Sequence, residues 1–390
     1  MNNKRLKISD QYSVQVISSL DEFNEMKDTW NSLVQSNGSF IPWLIWEWFN
    51  LFLKYFLKKD ALFIVAVCSF DKIVAIAPFM IVETNYKGLL KTKKVQFIGN
   101  VHSPICNFIF GYSDFESKRG IVNSIFSFFL DHYRNWDIIE LEMIPVEHSI
   151  FNLVADVMSD YGLKNRYYSC NGDWYLDEIN YTYDEYFQNL RRKHRRDIQR
   201  CQKHLQKLGT LTCDIKFDSD NLDYYLDLYS HVREKSWKAK EKDSSFLRDV
   251  TKLFAERGWL RMAFLSSNGE TIACEKWIVY KTIGFAWDSV FDEKYQKYSP
   301  GKIVASEITK YVMDQDKVNE IDLGQGDQDY KKDWTPKRRE RKGITVFNNN
   351  KKGKIYAYLM TKILPAMEET PYLFTIKNKI SRYLKQRNDR

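Results

Sequence analysis

Two widely separated stretches of the chain share one pattern of apolar runs around a central turn. Leu62–Val82 reads LFIVAVCSFDKIVAIAPFMIV, with a turn predicted at Phe70–Lys72. Leu260–Tyr280 reads LRMAFLSSNGETIACEKWIVY, and its turn falls at Asn268–Gly269, a dipeptide typical of β-hairpins. The two stretches have the same length and align without a gap. A repeated hairpin constrains the fold strongly because it predicts duplicated structural units.

The order of elements after each hairpin is also repeated. In the first half, a helical pattern near Lys118–Tyr133 precedes an apolar strand, Trp136–Ile144. In the second half, a helix at Lys302–Met313 precedes the strand Asn319–Gly324. Hairpin, helix and strand in this order are typical of a mixed sheet with helices packed on it. We therefore predict an α/β (α+β mixed sheet) fold in two tandem domains.

The length supports this division, because 390 residues exceed what one hydrophobic core usually serves. A polar stretch within Val157–Leu176 separates the two patterns. We predict an N-terminal domain over 1–165, a C-terminal domain over 166–350 and a basic helical tail over 351–390. In the tail, apolar residues at helical spacing predict a packed helix (Ile355, Leu359, Ile363) followed by a frayed one (Ile376, Ile380, Leu384).

The composition excludes several classes of protein. A hydrophobic content of 44% with only 8 Pro and 16 Gly is that of a packed globular chain. The six cysteines form no C-x-x-C pair and the six histidines have no metal-ligand spacing, so we predict neither a disulfide framework nor a metal site. The first residues, MNNKRLKISD, are polar, and no apolar run approaches about 18 residues. A cytoplasmic protein is expected.

The net charge of +8 is concentrated in Arg191–Lys207, Lys331–Lys342 and the tail from Lys351. Arg191–Lys207 lies in a predicted helix over Tyr183–Leu208 with one apolar stripe. The other faces carry eight cations and one Asp, so most of this charge lacks a neighbouring anion. Such a helix is either a solvated face or a binding surface for the phosphates of a cofactor or an anionic acceptor. The candidate binding residues are Arg192, Arg195 and Arg196.

A second candidate anion site is the Ser299-Pro300-Gly301-Lys302 segment, which leads from a predicted strand into a helix. Gly301 allows close approach of a ligand to the backbone. The first turn of the helix offers unpaired N–H groups and a positive dipole end, which suit a pyrophosphate, and Lys302 adds charge. An ordinary helix start is the alternative, since Ser-Pro is common there.

The run from Ser299 to Trp334 resembles the hallmark of the double-GNAT acetyltransferases typified by the cellulose-biosynthesis CelD proteins, relatives of the Fem-type aminoacyl transferases. That family shows Ser-Pro-Gly, a helix, a strand ending in Asp, then Gly-x-x-x-Tyr-Lys and a nearby Trp. The matching residues here are Ser299, Pro300, Gly301, Asp322, Gly326, Tyr330, Lys331 and Trp334. The resemblance extends over roughly Trp30 to Phe347 and includes the basic helix.

This resemblance implies two GNAT-like domains in a cytosolic enzyme that transfers an acyl group from acyl-CoA, such as acetyl-CoA, to an amine or hydroxyl, often in cell-surface polysaccharide synthesis. The pyrophosphate is expected at Ser299–Lys302, with Lys331 as a further cofactor contact and Trp334 near the acceptor. In the first half the equivalent helix is entered through Asp114 and Glu116, which would repel a pyrophosphate. We therefore expect the N-terminal copy to be degenerate.

Acyl transfer to an amine requires a base and often an acid for the leaving thiolate. Candidate bases near the expected cofactor strand are Glu275, Asp288, Asp322 and Asp327, with Asp288 and Asp322 best placed by position. Tyr330 is the candidate acid, and Tyr330 and Lys331 could equally fix a loop. For each carboxylate, an exposed residue or an ion-pair partner is the alternative.

Two other functions remain open. A Fem-like enzyme would use aminoacyl-tRNA as donor and a peptidoglycan precursor as acceptor, and it alone predicts tRNA binding. A non-catalytic scaffold would use Arg191–Lys207 and the tail to hold RNA, a membrane surface or a protein. No known RNA-binding pattern is present, so nucleic acid is not the expected partner.

Overall fold

The computed structural model describes residues 5–36, 41–57, 61–86, 90–146, 150–216, 220–238 and 242–369. Over these ranges the chain forms 17 strands and 12 α-helices. The strands are β1 (Leu6–Lys7), β2 (Tyr12–Ile17), β3 (Ile64–Ser69), β4 (Lys72–Ala77), β5 (Phe79–Tyr86), β6 (Leu90–Phe97), β7 (Ile109–Phe110), β8 (Ile138–Pro145), β9 (Asn165–Ser169), β10 (Asp173–Leu176), β11 (Leu211–Lys216), β12 (Leu260–Ser267), β13 (Glu270–Tyr280), β14 (Ile283–Phe291), β15 (Glu320–Gln325), β16 (Arg338–Arg339) and β17 (Arg341–Phe347). The helices are α1 (Leu20–Glu25), α2 (Lys27–Ser36), α3 (Trp46–Phe56), α4 (Phe115–Ser127), α5 (Ile150–Asp160), α6 (Tyr183–Asn189), α7 (Arg192–Gln206), α8 (Leu222–Glu234), α9 (Ser244–Glu256), α10 (Pro300–Asp314), α11 (Lys351–Tyr358) and α12 (Leu364–Glu369).

The two predicted hairpins are confirmed as β3–β4 and β12–β13. Each closes over a two-residue turn, with Ser69 paired to Lys72 in one and Ser267 to Glu270 in the other. Both turns begin with a residue at φ 51°, Phe70 and Asn268 respectively. The register also shifts at the same place in each, between Val67 and Cys68 and between Leu265 and Ser266. The sequence repeat therefore extends to the irregularities of the backbone.

The helix and strand predicted after each hairpin are confirmed as well. They are α4 and β8 in the first half and α10 and β15 in the second. In both halves a parallel pair of strands forms over only three residue pairs. Strand β6 pairs with β8 from Lys94 to Gln96, and β14 pairs with β15 from Ile283 to Phe285. The mixed sheets expected from the sequence are thus present in each half.

The described residues form two compact units, and their limits differ from the predicted segments. Unit 1 is built from residues within Met1–Ser39, Trp43–Cys170 and Glu340–Arg390. Unit 2 is built from Phe40–Pro42 and Asn171–Arg339. The predicted C-terminal domain extended to residue 350, and the predicted tail was a segment of its own. Instead residues 340–369 group with unit 1, because β17 forms part of a sheet there and Tyr356 and Met360 pack on Ile138.

At two points in the chain, strands that follow each other in sequence belong to different units. In unit 1 the sheet order is β5-β6-β8-β17-β9, so β17 lies between β8 and β9. In unit 2 the order is β11-β12-β13-β14-β15-β10-β16, so β10 lies between β15 and β16. β9 and β10 follow each other in sequence, as do β16 and β17. Unit 1 is therefore completed by an internal strand, β17, that comes after the whole continuous segment of unit 2 in the sequence.

The prediction of one continuous helix over Tyr183–Leu208 was wrong. It is divided into α6 and α7, because Leu190 has an extended backbone with ψ 154°. α7 buries Ile198, Cys201 and Leu205 in the core of unit 2, as its apolar stripe predicted. In the tail, α11 corresponds to the predicted packed helix, whereas Ile376, Ile380 and Leu384 lie outside the described residues.

Candidate active site

The start of α10 is built as an open helix end. A 3₁₀ turn, Glu293–Tyr298, connects β14 to Ser299, which adopts a left-handed conformation at φ 48° and ψ 54°. The Ser299 side chain makes no capping hydrogen bond, and Pro300 occupies the first turn. Backbone strain of this kind is retained where the surrounding structure imposes it, often at functional sites. The first-turn N–H groups of α10 are therefore left for a ligand or water.

Gly301 is not required by the packing around it. Its φ does not lie in the left-handed range, and a Cβ added to it would meet the ring of Phe291 at 3.5 and 3.9 Å, which is ordinary contact. A glycine that the fold does not need is consistent with close approach by a ligand. This observation fits the predicted role of Ser299, Pro300, Gly301 and Lys302 in holding a phosphate group.

The equivalent helix of unit 1, α4, is closed to anions. The Asp114 carboxylate accepts a 2.8 Å hydrogen bond from the Ser117 N–H and caps the helix. This backbone hydrogen bond, the largest contribution, holds the pKa of Asp114 below its usual value. Glu116 adds a second negative charge in the first turn. The contrast between α4 and α10 follows the difference predicted from the sequence.

The first half of α7 lies beside the start of α10. Asp197 of α7 lies 3.7 Å from the Lys302 ammonium. Arg192 and Arg196 are exposed, and neither forms an ion pair with any described residue. Arg195 instead donates to the backbone and side-chain oxygens of Gln188, the latter at 2.9 Å. Arg192 and Arg196 are therefore the two predicted arginines whose charge is available to a phosphate.

The parallel strands β14 and β15 separate toward the end that leads to α10. Their ladder stops at Phe285, and the pairing of β13 with β14 is irregular at Trp287, the extra residue of a β-bulge. Bulges redirect strands and are common next to active sites. The second half of β14, which carries Asp288 and Ser289, is thus freed from β15.

Glu275 of β13 has a buried carboxylate, one of whose oxygens accepts a hydrogen bond. Only 6% of its surface is exposed, and its Oε1 accepts a 2.7 Å hydrogen bond from the indole Nε1 of Trp277. Its Oε2 is buried and makes no hydrogen bond of ordinary geometry with a described residue. Burial raises the pKa of Glu275 to about 7, against the lowering effects of the Trp277 N–H, the Lys238 charge and the nearby Ser289 hydroxyl. An acid of this pKa, with one free oxygen, has the properties of a general base.

Glu275 lies on the face of the sheet that α10 covers. It is paired with Ser289 across β14, while Ala273 is paired with Phe291, whose ring contacts Gly301. Two residues along a strand correspond to about 7 Å. Glu275 therefore lies two residues along its strand from the position that is paired with the neighbour of Gly301.

Asp288 has a different environment, because donors occupy both of its oxygens. Tyr229 and Arg233 donate to Oδ2, the latter at 2.8 Å, and Lys238 donates to Oδ1 at 2.5 Å. Burial alone would raise the pKa of Asp288, but Lys238 and Lys276 hold it below its usual value. Lys276 is opposite Asp288 in the ladder. A saturated carboxylate of low pKa acts as a counter-ion rather than as a base.

Tyr330, the predicted acid, lies within electrostatic range of both carboxylates. The residue is 58% exposed, and the pKa of its phenol is raised to about 12 by partial burial and then by the charges of Glu275 and Asp288. A phenol of this pKa stays protonated at neutral pH. Three of the four predicted catalytic residues thus interact through their charges.

Two further predicted residues, Asp322 and Lys331, hold the loop after β15. Asp322, the fourth predicted catalytic residue, is buried and accepts hydrogen bonds from the Gly324 N–H at 2.7 Å and from Arg339 at 2.8 Å. Lys331 is buried, and its ammonium donates to the carbonyls of Gly324 and Gln325, both at 2.8 Å. Burial lowers the pKa of Lys331, with Asp322 opposing the effect. This geometry matches the alternative in which Lys331 fixes a loop and does not contact a cofactor.

Trp334 and Asp327 are also engaged in structural contacts. Trp334 is buried against the imidazole of His194 with ring centroids 4.8 Å apart, and its carbonyl accepts a 2.7 Å hydrogen bond from Tyr186. Asp327 accepts from two nitrogens of Arg338, at 2.6 and 3.1 Å. Neither residue is part of the group around Glu275.

Sequence reasoning missed four residues of the site. They are Trp277, which holds Glu275, and the donors to Asp288, namely Tyr229, Arg233 and Lys238. Trp277 had a local signal, since residues two apart in a strand lie on one face. The other three had none, because helix α8 is brought to β14 only by the fold.

Part of the chain is similar to a known protein family. A family model described as an acetyltransferase (GNAT) domain matches residues 192–332. That range contains α7, β13, β14 and the start of α10. Among curated proteins, none matches the sequence.

Solved structures resemble the chain at the level of the fold. A tandem GNAT protein from the clavulanic acid biosynthesis pathway has a TM-score of 0.50 at 9% identity, covering 85% of this chain and 98% of that one. A conserved protein of unknown function from Bacteroides thetaiotaomicron VPI-5482 has a TM-score of 0.51 at 11% identity, covering 83% of this chain and 97% of that one. FemX has a TM-score of 0.49 at 10% identity, with coverage of 73% and 88%. The fold is the mixed α/β fold of tandem GNAT-like domains.

The described residues contain no cluster of three or more His, Cys, Asp or Glu side chains arranged to hold a metal ion. No described helix combines the length and apolar character needed to span a bilayer.

Proposed function

We propose that this protein is an acyl-CoA-dependent N- or O-acyltransferase, with acetyl-CoA as the expected donor and a sugar or cell-envelope polysaccharide precursor as acceptor. The observation that carries the proposal is the buried carboxylate of Glu275, two residues along β13 from the position paired with the neighbour of Gly301. The GNAT family match over residues 192–332 supports acyl transfer as the reaction. The resemblance to CelD-type proteins supports the choice of acceptor.

The residues at the start of α10 fit the diphosphate of a coenzyme A donor. The helix end is uncapped, Gly301 leaves room at the backbone, and Lys302, Arg192 and Arg196 supply positive charge. Bound there, the donor supplies an activated thioester. Lys331 is left out of this binding set because its ammonium already bonds two carbonyls.

Glu275 and Tyr330 supply the proton transfers of the reaction. Oε2 of Glu275 takes the proton of the acceptor amine or hydroxyl as the new N–C or O–C bond forms and the C–S bond breaks. The Tyr330 phenol donates its proton to the departing sulfur and regains one from solvent. Asp288 holds Lys238 and Arg233 in place beside this pair.

Titration calorimetry with coenzyme A and acetyl-CoA tests the donor. We expect saturable binding by the unchanged protein and its loss in Gly301→Glu, because the new carboxylate occupies and repels the diphosphate position. Gly301→Ala is the matched control and should fold normally, since its Cβ makes ordinary contact with Phe291. Failure of the unchanged protein to bind either compound would refute the proposal.

A Fem-like transferase that uses aminoacyl-tRNA is the second candidate. The unpaired cations of α7 favour it, because they form a longer basic surface than a diphosphate needs. This function requires tRNA binding that weakens steeply between about 50 and 200 mM salt. Gel-shift titration with total tRNA and an RNA hairpin control measures this directly.

A further inference from the structure

Most of the net positive charge of the chain belongs to its C-terminal tail. Residues 351–390 contain ten Lys and Arg against three Asp and Glu, so they account for +7 of the net charge of +8. The remaining residues are therefore almost neutral as a whole. A segment with such an excess of one sign attracts anionic partners and repels basic ones.

Three lysines of this tail lie at the start of α11, where no acidic residue accompanies them. Lys352 is turned toward the protein, since its ammonium donates to the Lys91 carbonyl at 2.9 Å. Lys351 and Lys354 are exposed, and neither forms an ion pair with a described residue. Cations at a helix N-terminus are disfavoured by the helix dipole. The stability of α11 therefore does not account for these two lysines.

The same side of α11 exposes apolar side chains. Ile355 is 46% exposed and Tyr358 is 60% exposed, whereas Tyr356 is buried. Residues three and four apart are neighbours on a helix surface, so these two side chains adjoin the exposed lysines. Together they form the outer face of α11, which consists of Lys351, Lys354, Ile355 and Tyr358. Basic and apolar side chains combined in this way are typical of helices that lie in a membrane interface.

Charge and chemistry distinguish among the partners that could cover this face. Residues 370–390 contain six Lys and Arg against one Asp, so electrostatic repulsion disfavours them as its cover. A second copy of the outer face carries the same charge and is disfavoured for the same reason. Nucleic acid would pair with the lysines but leaves Ile355 in water. An anionic bilayer suits both kinds of side chain, because its negative surface overlies an apolar interior.

We propose that the outer face of α11 binds an anionic membrane surface. The two lysines then contact lipid headgroups, while Ile355 and Tyr358 reach the boundary with the acyl chains. In this arrangement the helix lies on the bilayer and does not cross it. The inference concerns unit 1 and is independent of the proposed acyltransferase reaction.

Flotation of the full chain with sealed vesicles tests the proposal. Vesicles of phosphatidylcholine and phosphatidylglycerol in equal parts are compared with vesicles of phosphatidylcholine alone. We expect binding to the anionic vesicles only. Each lysine near an anionic surface contributes roughly fivefold, so Lys351→Gln with Lys354→Gln should lower the partition coefficient by about tenfold or more. Ile355→Gln with Tyr358→Gln should lower it by about fivefold or more, because exposed apolar area is lost.

Two matched variants serve as controls. Lys203→Gln with Lys207→Gln removes the same charge from the exposed C-terminal end of α7. Phe70→Asn removes an exposed ring from the β3–β4 turn, at a φ of 51° that Asn tolerates. Both should bind the anionic vesicles as the unchanged protein does. Thermal unfolding of the Lys351 and Lys354 double variant should be unchanged or raised, because two cations leave the positive end of the helix dipole.

Several results would contradict the proposal. One is equal binding to neutral and anionic vesicles, or no binding to either. Equal losses in the α11 and α7 lysine variants would indicate a diffuse charge effect without a specific face. Binding of total tRNA that depends on the α11 lysines but not on Ile355 and Tyr358 would identify a nucleic-acid surface instead. A lower unfolding temperature in the apolar variant, with flotation unchanged, would mean that protein covers this face.

Discussion

The indole N–H of Trp277 holds one oxygen of Glu275 at 2.7 Å and leaves the other oxygen of that carboxylate buried without a hydrogen bond of ordinary geometry to a described residue. Burying a polar atom in this way costs about 1–3 kcal/mol. A fold tolerates such a cost most readily where the group is used. The pair therefore fixes the orientation of Glu275 while keeping one oxygen for chemistry.

The pH dependence of turnover should follow the ionisation of Glu275. Because its pKa is raised to about 7, kcat/KM is expected to rise with pH and level off above about 7, where the carboxylate is ionised. Glu275→Gln should remove this limb and lower kcat at least 100-fold. Stopped-flow detection of released thiol measures both. Glu256→Gln, an exposed residue of α9, should leave the profile intact.

The same ionisation should also appear in stability. The pKa of Glu275 is raised from 4.5 to about 7, so between these values the native state binds more protons than the unfolded state. The free energy of unfolding therefore falls as the pH rises through this window, by up to about 3 kcal/mol, and stays lower above it. Urea denaturation of Glu275→Gln should lack this component. A constant difference between variant and parent from pH 4.5 to 8 would contradict the assignment.

The charge of α7 should matter only near the start of α10. Arg196→Glu is expected to weaken coenzyme A binding by roughly fivefold, or about 1 kcal/mol, and the effect should shrink at high salt. Lys207→Glu is the control, since it lies at the other end of α7, about 17 Å along the helix from position 196. Calorimetry at 50 mM and 500 mM salt compares the affinity of the two variants for coenzyme A. Equal losses in both variants would indicate a diffuse charge effect.

Lys331 should behave as a structural residue. Its ammonium donates to two carbonyls, so Lys331→Met is expected to lower the free energy of unfolding by about 3 kcal/mol. The adjacent Lys332 pairs with exposed Asp329 at 2.7 Å, and Lys332→Met should cost at most about 1 kcal/mol. Denaturation of the two variants gives the comparison. A loss of coenzyme A affinity in Lys331→Met without a loss of stability would restore its predicted cofactor role.

The repeated hairpin was predictable because its information is local. Alternating apolar residues and the Asn268–Gly269 turn specify strand, turn and register together. The open start of α10 was predictable for the same reason, since Ser299, Pro300 and Gly301 are adjacent in sequence. By contrast, the break between α6 and α7 has no glycine or proline to mark it.

The roles of the carboxylates were not predictable from position in the chain. Asp288 and Asp322 ranked first as bases, yet their partners come from α8 and from Arg339, which only the fold brings near. The free oxygen of Glu275 is likewise a property of the packed site. A sequence can thus identify titratable residues as candidate bases, whereas their protonation depends on neighbours that are distant along the chain.

The position of β17 in the sheet of unit 1 has a consequence for biosynthesis. β8 and β9 cannot close their sheet until β17 has left the ribosome, because β17 lies between them. Everything from Cys170 to Glu340 must be translated in the interval, which takes on the order of ten seconds or more at usual rates. The N-terminal half must therefore wait with an open sheet edge while the later half is made, so its sheet closes late although its sequence is made first.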